Sequence, residues 1–268
     1  MPRAATVKWT RKHELIALNL YGKLLFGQFH HTNPVIVDVA KRMGRTASSL
    51  SMKLSNLASL DPVQQARGIK GLSGASQLDR DMWKEFHSNL NRLGPESEQL
   101  LHDLFTQDDE LEVDFLGRDK VRFEKTLSPP SGPTESKASV RVRRGQQFFR
   151  QTILSSYGVR CCISEINVPR FLIASHIKPW RDFPDARLDP RNGLCLSVLH
   201  DAAFDAGLIT LDRNLAVILS TKLKGFFPSA ALEENFARFE GKPIRLPDKV
   251  AEPNPAFLKF HRTRIFQQ

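Results

Sequence analysis

The sequence predicts an α+β protein in two parts: a helical N-terminal domain over 1–125 and a C-terminal domain over 139–268 built on a ββα unit. Three observations predict it. Apolar residues recur at helical spacing through most of the first ninety positions. The stretch 126–138 holds Ser128, Pro129, Pro130, Ser131, Gly132 and Pro133, which cannot build a core and favour extended chain, so it reads as a linker. Beyond it, short apolar runs alternate with turn signals and one short helical pattern.

Lys8–Tyr21 reads as a helix, with Thr10 as N-cap and Leu15, Leu18 and Tyr21 on one face. Asn33 caps a second helix that has Pro34 at its first position and Ile36, Val39, Ala40 and Met43 inward; Gly44 ends it. Thr46 caps a third, from Ala47 to near Leu60, with Leu50, Leu54 and Leu57 inward. The short connection between these two gives either a helix-turn-helix or a plain helical hairpin. In the first case the later helix enters the major groove and presents Arg45, Ser48, Ser49, Ser51, Lys53 and Asn56, with Arg45 and Lys53 as its nucleic-acid cations. Asp61–Gly74 reads as a loop, Leu78–Leu93 as a helix, Pro95–Asp114 as a short acidic helix, and Val113–Glu124 as a brief strand pair. Val140–Tyr157 reads as one helix that starts basic and becomes apolar. Phe171–Ala174 leads as a strand to His176. A second strand follows the Asn192–Gly193 turn, and a short helix capped by Ser197 and ended near Gly207 carries His200. Leu208–Leu211 and Ala216–Ser220 read as a closing hairpin.

No apolar run approaches bilayer length, and the basic N-terminus lacks a following apolar region, so a cytoplasmic protein without membrane contact is expected. The three cysteines, Cys161, Cys162 and Cys195, include an adjacent pair and are odd in number, against a disulfide framework. They read as buried small hydrophobes. Net charge is +10, unevenly spread: +8 over 1–93, −7 over 94–135 and +9 over 136–268. Two basic blocks suit a polyanion, because each neutralised phosphate releases counterions. Taken alone, ordinary solubility charge explains the balance equally well.

His176, Asn192 and His200 stand sixteen and eight residues apart within Phe171–Ser220. With the strand, turn, strand and helix around them, they resemble the HNH nucleases, whose ββα-metal site cuts phosphodiester bonds. The resemblance covers roughly Gln146–Ser220, and the strings ASHIKPW and NGLCLSVLHDAAFDAGL resemble a branch found in bacterial restriction-like proteins. It implies His176 as general base, Asn192 as the group that holds the base, and His200 as ligand to a divalent metal. Mg²⁺ is the expected metal, with Mn²⁺ or Zn²⁺ as alternatives. Two departures stand out. The residue before the base, often Asp or His in the family, is Ser175, and a second helix ligand is replaced by Phe204. Ser175 and Asp205 are candidate further ligands, while Asp201 is read as pointing elsewhere on its helix. The paired Cys-x-x-Cys knuckles of many relatives are broken, which disfavours a Cys-held zinc. Lys178, Arg181 and Arg187, in the loop between the site strands, are candidate phosphate contacts. Trp180 is read as packing that loop.

The implied function is a metal-dependent endonuclease acting on DNA, double-stranded by preference, in restriction or phage defence. A homodimer would explain cutting of both strands. The competing reading is a helix-turn-helix regulator whose HNH module is degenerate, motivated by Ser175 and Phe204.

Overall fold

The structure is a computed structural model that describes residues 8–105, 111–114, 122–125, 137–248 and 250–268. The chain forms two compact units, Met1–Gln151 and Thr152–Gln268. Within these residues the fold mixes helices with three two-stranded antiparallel sheets. Of the segment 126–138, read above as linker, 126–136 lie outside the described residues, and Lys137 and Ala138 already belong to a helix. No helix among the described residues is long and apolar enough to cross a membrane.

The first unit is built round α1 (Arg11–Lys23), which packs against α3 (Ala47–Ala58), α5 (Gln77–Ser88) and α6 (Leu90–Phe105). Thr10 Oγ1 accepts from the His13 amide, Asn33 Oδ1 from Val35 and Thr46 Oγ1 from Ser49, so each expected cap satisfies an amide that the helix leaves open. Asn33 and Pro34 thus start α2 (Pro34–Arg42), which packs on α3. The Asp61–Gly74 loop also holds one short helix, α4 (Pro62–Ala66), begun by the same cap-then-proline signature. β1 (Leu111–Asp114) and β2 (Arg122–Lys125) pair as expected. α7 (Lys137–Ser156) runs across the division between the units.

Lys53 corrects one expectation. It is 5% exposed, its ammonium bonds Glu14 Oε1 and the Asp79 carboxylate, and it lies 4.4 Å from the Trp9 ring centroid. A lysine closed in this way is not presented to a nucleic acid; it neutralises two buried acids. Arg45 is half-buried, stacks 3.9 Å from the Trp9 centroid and bonds the Lys8 carbonyl and the His13 ring. The α2–α3 pair is therefore fixed to the bundle partly by the two cations assigned to DNA.

The buried triad makes this unit sensitive to pH. Burial raises the Glu14 carboxyl, opposed by Lys53 and helped by the Asp79 charge, to about 7. A carboxyl that binds its proton more tightly folded than unfolded stabilises fully below its ordinary range, near pH ~4.5, and loses that contribution as pH rises through 7. Asp79 is shifted the other way, with burial outweighed by its bonds to Lys53 and Ser76, so its contribution is lost only in acid. The melting temperature of the first unit should fall between about pH 5 and 8, and Glu14→Gln should flatten that slope. A slope identical in the variant would remove Glu14 as its source.

In the second unit, β3 (Leu172–His176) and β4 (Gly193–Ser197) form an antiparallel hairpin whose register places Ser175 opposite Leu194 and His176 opposite Gly193. α8 (Val198–Asp205) follows directly and packs back on both strands, completing the expected ββα unit. β5 (Ile209–Leu211) and β6 (Val217–Leu219) form the second hairpin. The chain continues through α9 (Thr221–Lys224), α10 (Ala230–Asn235) and α11 (Pro255–Arg264). The three cysteines are buried, and none of them forms a disulfide.

The C-terminal segment is part of this core. His261 stacks on Phe204 at 3.7 Å between centroids, and its Nε2 donates to the Phe204 carbonyl. Burial brings its pKa to about 4, so it carries no charge for DNA at neutral pH. The end of α8 is locked by the same tail. Gly207 has φ +68°, and a Cβ there would meet the Ile265 carbonyl oxygen at 2.1 Å. Gly207→Ala combines a left-handed backbone with a backbone clash and should cost roughly 2–4 kcal/mol, read as a lowered denaturation midpoint. A midpoint equal to wild type would mean that the tail is not seated on α8.

Candidate active site

His176 ends β3 where the hairpin opens, and its ring is partly buried. Nε2 lies 3.0 Å from the Arg187 carbonyl oxygen. A carbonyl can only accept, so Nε2 carries the proton and Nδ1 is the basic nitrogen. Trp180 meets the ring edge-on at 5.3 Å, which fixes its plane. Burial lowers the His176 pKa, partly opposed by the bond to Arg187, and so favours the neutral ring.

Asn192 is 1% exposed and spans the base of the site loop. Its Oδ1 accepts from the Lys178 amide at 2.8 Å, while Nδ2 donates to the carbonyls of Lys178 at 3.2 Å and Ala186 at 3.1 Å. Its own carbonyl accepts from Ile177. One side chain thus ties both arms of the loop and sets where the chain leaves His176. Asn–Gly is a good turn, but a turn alone uses none of these side-chain bonds.

The expected phosphate contacts divide. Arg181 is exposed. Arg187 turns back, with Nε donating to the Trp180 carbonyl and the guanidinium 5.2 Å from the Trp180 centroid. The Lys178 ammonium sits 4.4 Å from the Phe183 centroid, 5.0 Å from Phe257 and 5.3 Å from Phe260. Three ring faces hold this cation by its charge. Two of the rings belong to α11, which sequence reasoning left unread.

His200 is brought into the same unit but faces inward. It is 1% exposed; Nε2 lies 2.7 Å from the Asn235 carbonyl, and Nδ1 lies 2.8 Å from Ser197 Oγ and 3.6 Å from Cys161 Sγ. Phe236 and Phe239 meet the ring edge-on. Both nitrogens are turned onto protein groups, and to reach a cation the ring would have to give one of them up. Burial pushes the Cys161 thiol up, yet its contacts with His200 and Ser164 outweigh burial and bring it to about 6.

The side of α8 toward β3 carries different chemistry. Ser175 is 2% exposed, and its hydroxyl has no hydrogen-bond partner of ordinary geometry. It nevertheless lies close enough to Asp201 to pull that carboxyl down, against the burial that raises it. Asp205 follows one helical turn later. Burial raises it, with the Asp201 charge adding, to about 6. Asp201, read from sequence as pointing elsewhere, is thus the carboxylate beside Ser175. No cluster of three or more His, Cys, Asp or Glu able to hold a metal occurs among the described residues. Two carboxylates one turn apart, the first beside a buried hydroxyl that makes no hydrogen bond of ordinary geometry, do fit a hard cation, which takes oxygen donors and completes its shell with water or phosphate.

A hairpin ending in a carbonyl-oriented imidazole, crossed by an asparagine clamp and backed by a short helix, has the ββα layout expected from the sequence. Residues 161–212 match the family model described as HNH endonuclease. No curated protein matches the chain.

Proposed function

We propose that the chain is a metal-dependent endonuclease that hydrolyses DNA phosphodiester bonds, with His176 as general base. The observation that carries this is the fixed tautomer of His176, whose Nε2–H is bonded to the Arg187 carbonyl while Nδ1 keeps the lone pair. Nδ1 takes a proton from water, the water oxygen bonds to phosphorus, and the bond to the leaving sugar oxygen breaks. Asn192 is a positioning residue, because it holds the loop from which the imidazole and Lys178 project. Lys178 and Arg181 supply charge to the phosphates. A divalent cation, Mg²⁺ before Mn²⁺ or Zn²⁺, supplies positive charge where negative charge develops on the phosphate.

Double-stranded DNA is the favoured substrate, with the helical first unit as the holder of DNA through α2–α3 as a helix-turn-helix, and restriction or phage defence as the setting. A homodimer would bring two sites to the two strands. The second reading, a DNA-binding protein with an inactive module, draws on the inward-turned ring of His200. Supercoiled plasmid incubated with Mg²⁺, Mn²⁺ or EDTA separates the two. Metal-dependent nicking or linearisation supports the nuclease; binding without cleavage under any metal supports the regulator.

A further inference from the structure

We propose that the metal site of this chain is an all-oxygen site made by Asp201, Asp205 and Ser175, and that His200 is a structural residue outside it. This rests on the metal-dependent reading above and names the donors of that same site.

Three observations lead to it. First, the Ser175 hydroxyl is buried without a hydrogen-bond partner, although leaving a buried hydroxyl unsatisfied costs about 1–3 kcal/mol. The group it approaches, without ordinary hydrogen-bond geometry, is the Asp201 carboxylate. Second, Asp201 and Asp205 stand at i and i+4 on α8, the spacing that puts two side chains on one face. Neither forms a salt bridge among the described residues, unlike Asp189, which pairs with Arg191 in the same unit. Third, the imidazole that would otherwise serve is committed elsewhere: Ser197 caps α8 through Oγ and holds His200 Nδ1, and the Asn235 carbonyl holds Nε2.

The packing explains why these residues meet. Ala203 and Phe204 are the buried apolar face of α8. With that face seated in the core, Asp201 falls beside Ser175 of β3, Asp205 follows it one turn on along the helix, and His200 falls on the flank beside Cys161 and Phe236. The carboxylate missing before the base is thus replaced from the helix. Oxygen donors without imidazole favour hard Mg²⁺ or Mn²⁺ over Zn²⁺.

The test is Mn²⁺ binding to the full chain, read by the loss of the free-ion electron paramagnetic resonance signal. Asp201→Asn and Asp205→Asn should each weaken binding about tenfold or more, Ser175→Ala should weaken it less, and His200→Gln should leave it unchanged. Circular dichroism checks that each variant is folded; the two Asp→Asn changes keep side-chain shape, so they carry the test if His200→Gln does not fold. Mn²⁺ binding that survives both Asp→Asn changes, or that is lost in a folded His200→Gln, overturns the site. So does a wild-type chain that binds no Mn²⁺. Plasmid cleavage in parallel keeps the two readings apart. Carboxylate-dependent binding without cleavage supports the site and sinks the nuclease. Cleavage with Mn²⁺ binding indifferent to Asp201 and Asp205 sinks the site and leaves the nuclease.

Discussion

His176→Ala is expected to lower DNA cleavage by roughly 10²–10⁴-fold, the usual worth of a positioned general base. The ring contributes at two points. In the proposed reaction its Nδ1 accepts the proton of the attacking water, and the Nε2–H bond to the Arg187 carbonyl at 3.0 Å keeps Nδ1 basic. Alanine removes both, while the fold should survive, because the side chain is only partly buried at the open end of the hairpin. DNA affinity should change little, since the neutral imidazole is not a phosphate contact. The signature is therefore a fall in the rate at saturating DNA with nearly unchanged binding. A fall in affinity of the same size would instead make His176 part of the binding surface.

Asn192→Ala should be the most damaging single change in the second unit, at roughly 3–5 kcal/mol. Three groups lose their partner together, the Lys178 amide and the carbonyls of Lys178 and Ala186, in a position 1% exposed. Each buried unsatisfied group costs about 1–3 kcal/mol, with some recovered where water enters the loop. Activity should fall as well, because the loop that carries His176 and Lys178 loses its clamp. Asn192→Asp separates the two contributions. It keeps the acceptor for the Lys178 amide but faces two carbonyls with no hydrogens to give, so it should remain destabilised. A folded, fully active Asn192→Ala would show that Asn192 shapes only the turn.

The local grammar of the chain was legible in its sequence. Thr10, Asn33, Thr46 and Ser197 announce helix starts by a hydroxyl or amide oxygen that takes an open amide, and all four do so. The ββα order round His176 followed from apolar runs and the Asn192–Gly193 turn. The signature at Asn33–Pro34 also recurs at Asp61–Pro62 and Asn254–Pro255, and the structure starts helices there too; nearby glycines hid the first, and the weak apolar pattern hid the second. What sequence could not give was pairing across distance. Lys53 has the look of a surface cation until Glu14 and Asp79, 39 and 26 residues away, are found beside it. His200 keeps its motif position, yet the Asn235 carbonyl lies 35 residues on and claims its Nε2. Asp201 was judged by its angle to His200, when the face that matters is set by how Ala203 and Phe204 seat the helix against β3.

The central claim is that His176 drives metal-dependent cleavage, and one comparison tests it most directly: supercoiled plasmid cut by wild type and His176→Ala, each with Mg²⁺, Mn²⁺ or EDTA, at protein concentrations that saturate the DNA. The account predicts nicked or linear product only with metal and only from wild type. Equal cleavage by the variant, or DNA bound to saturation and left uncut by wild type under every metal, would contradict it.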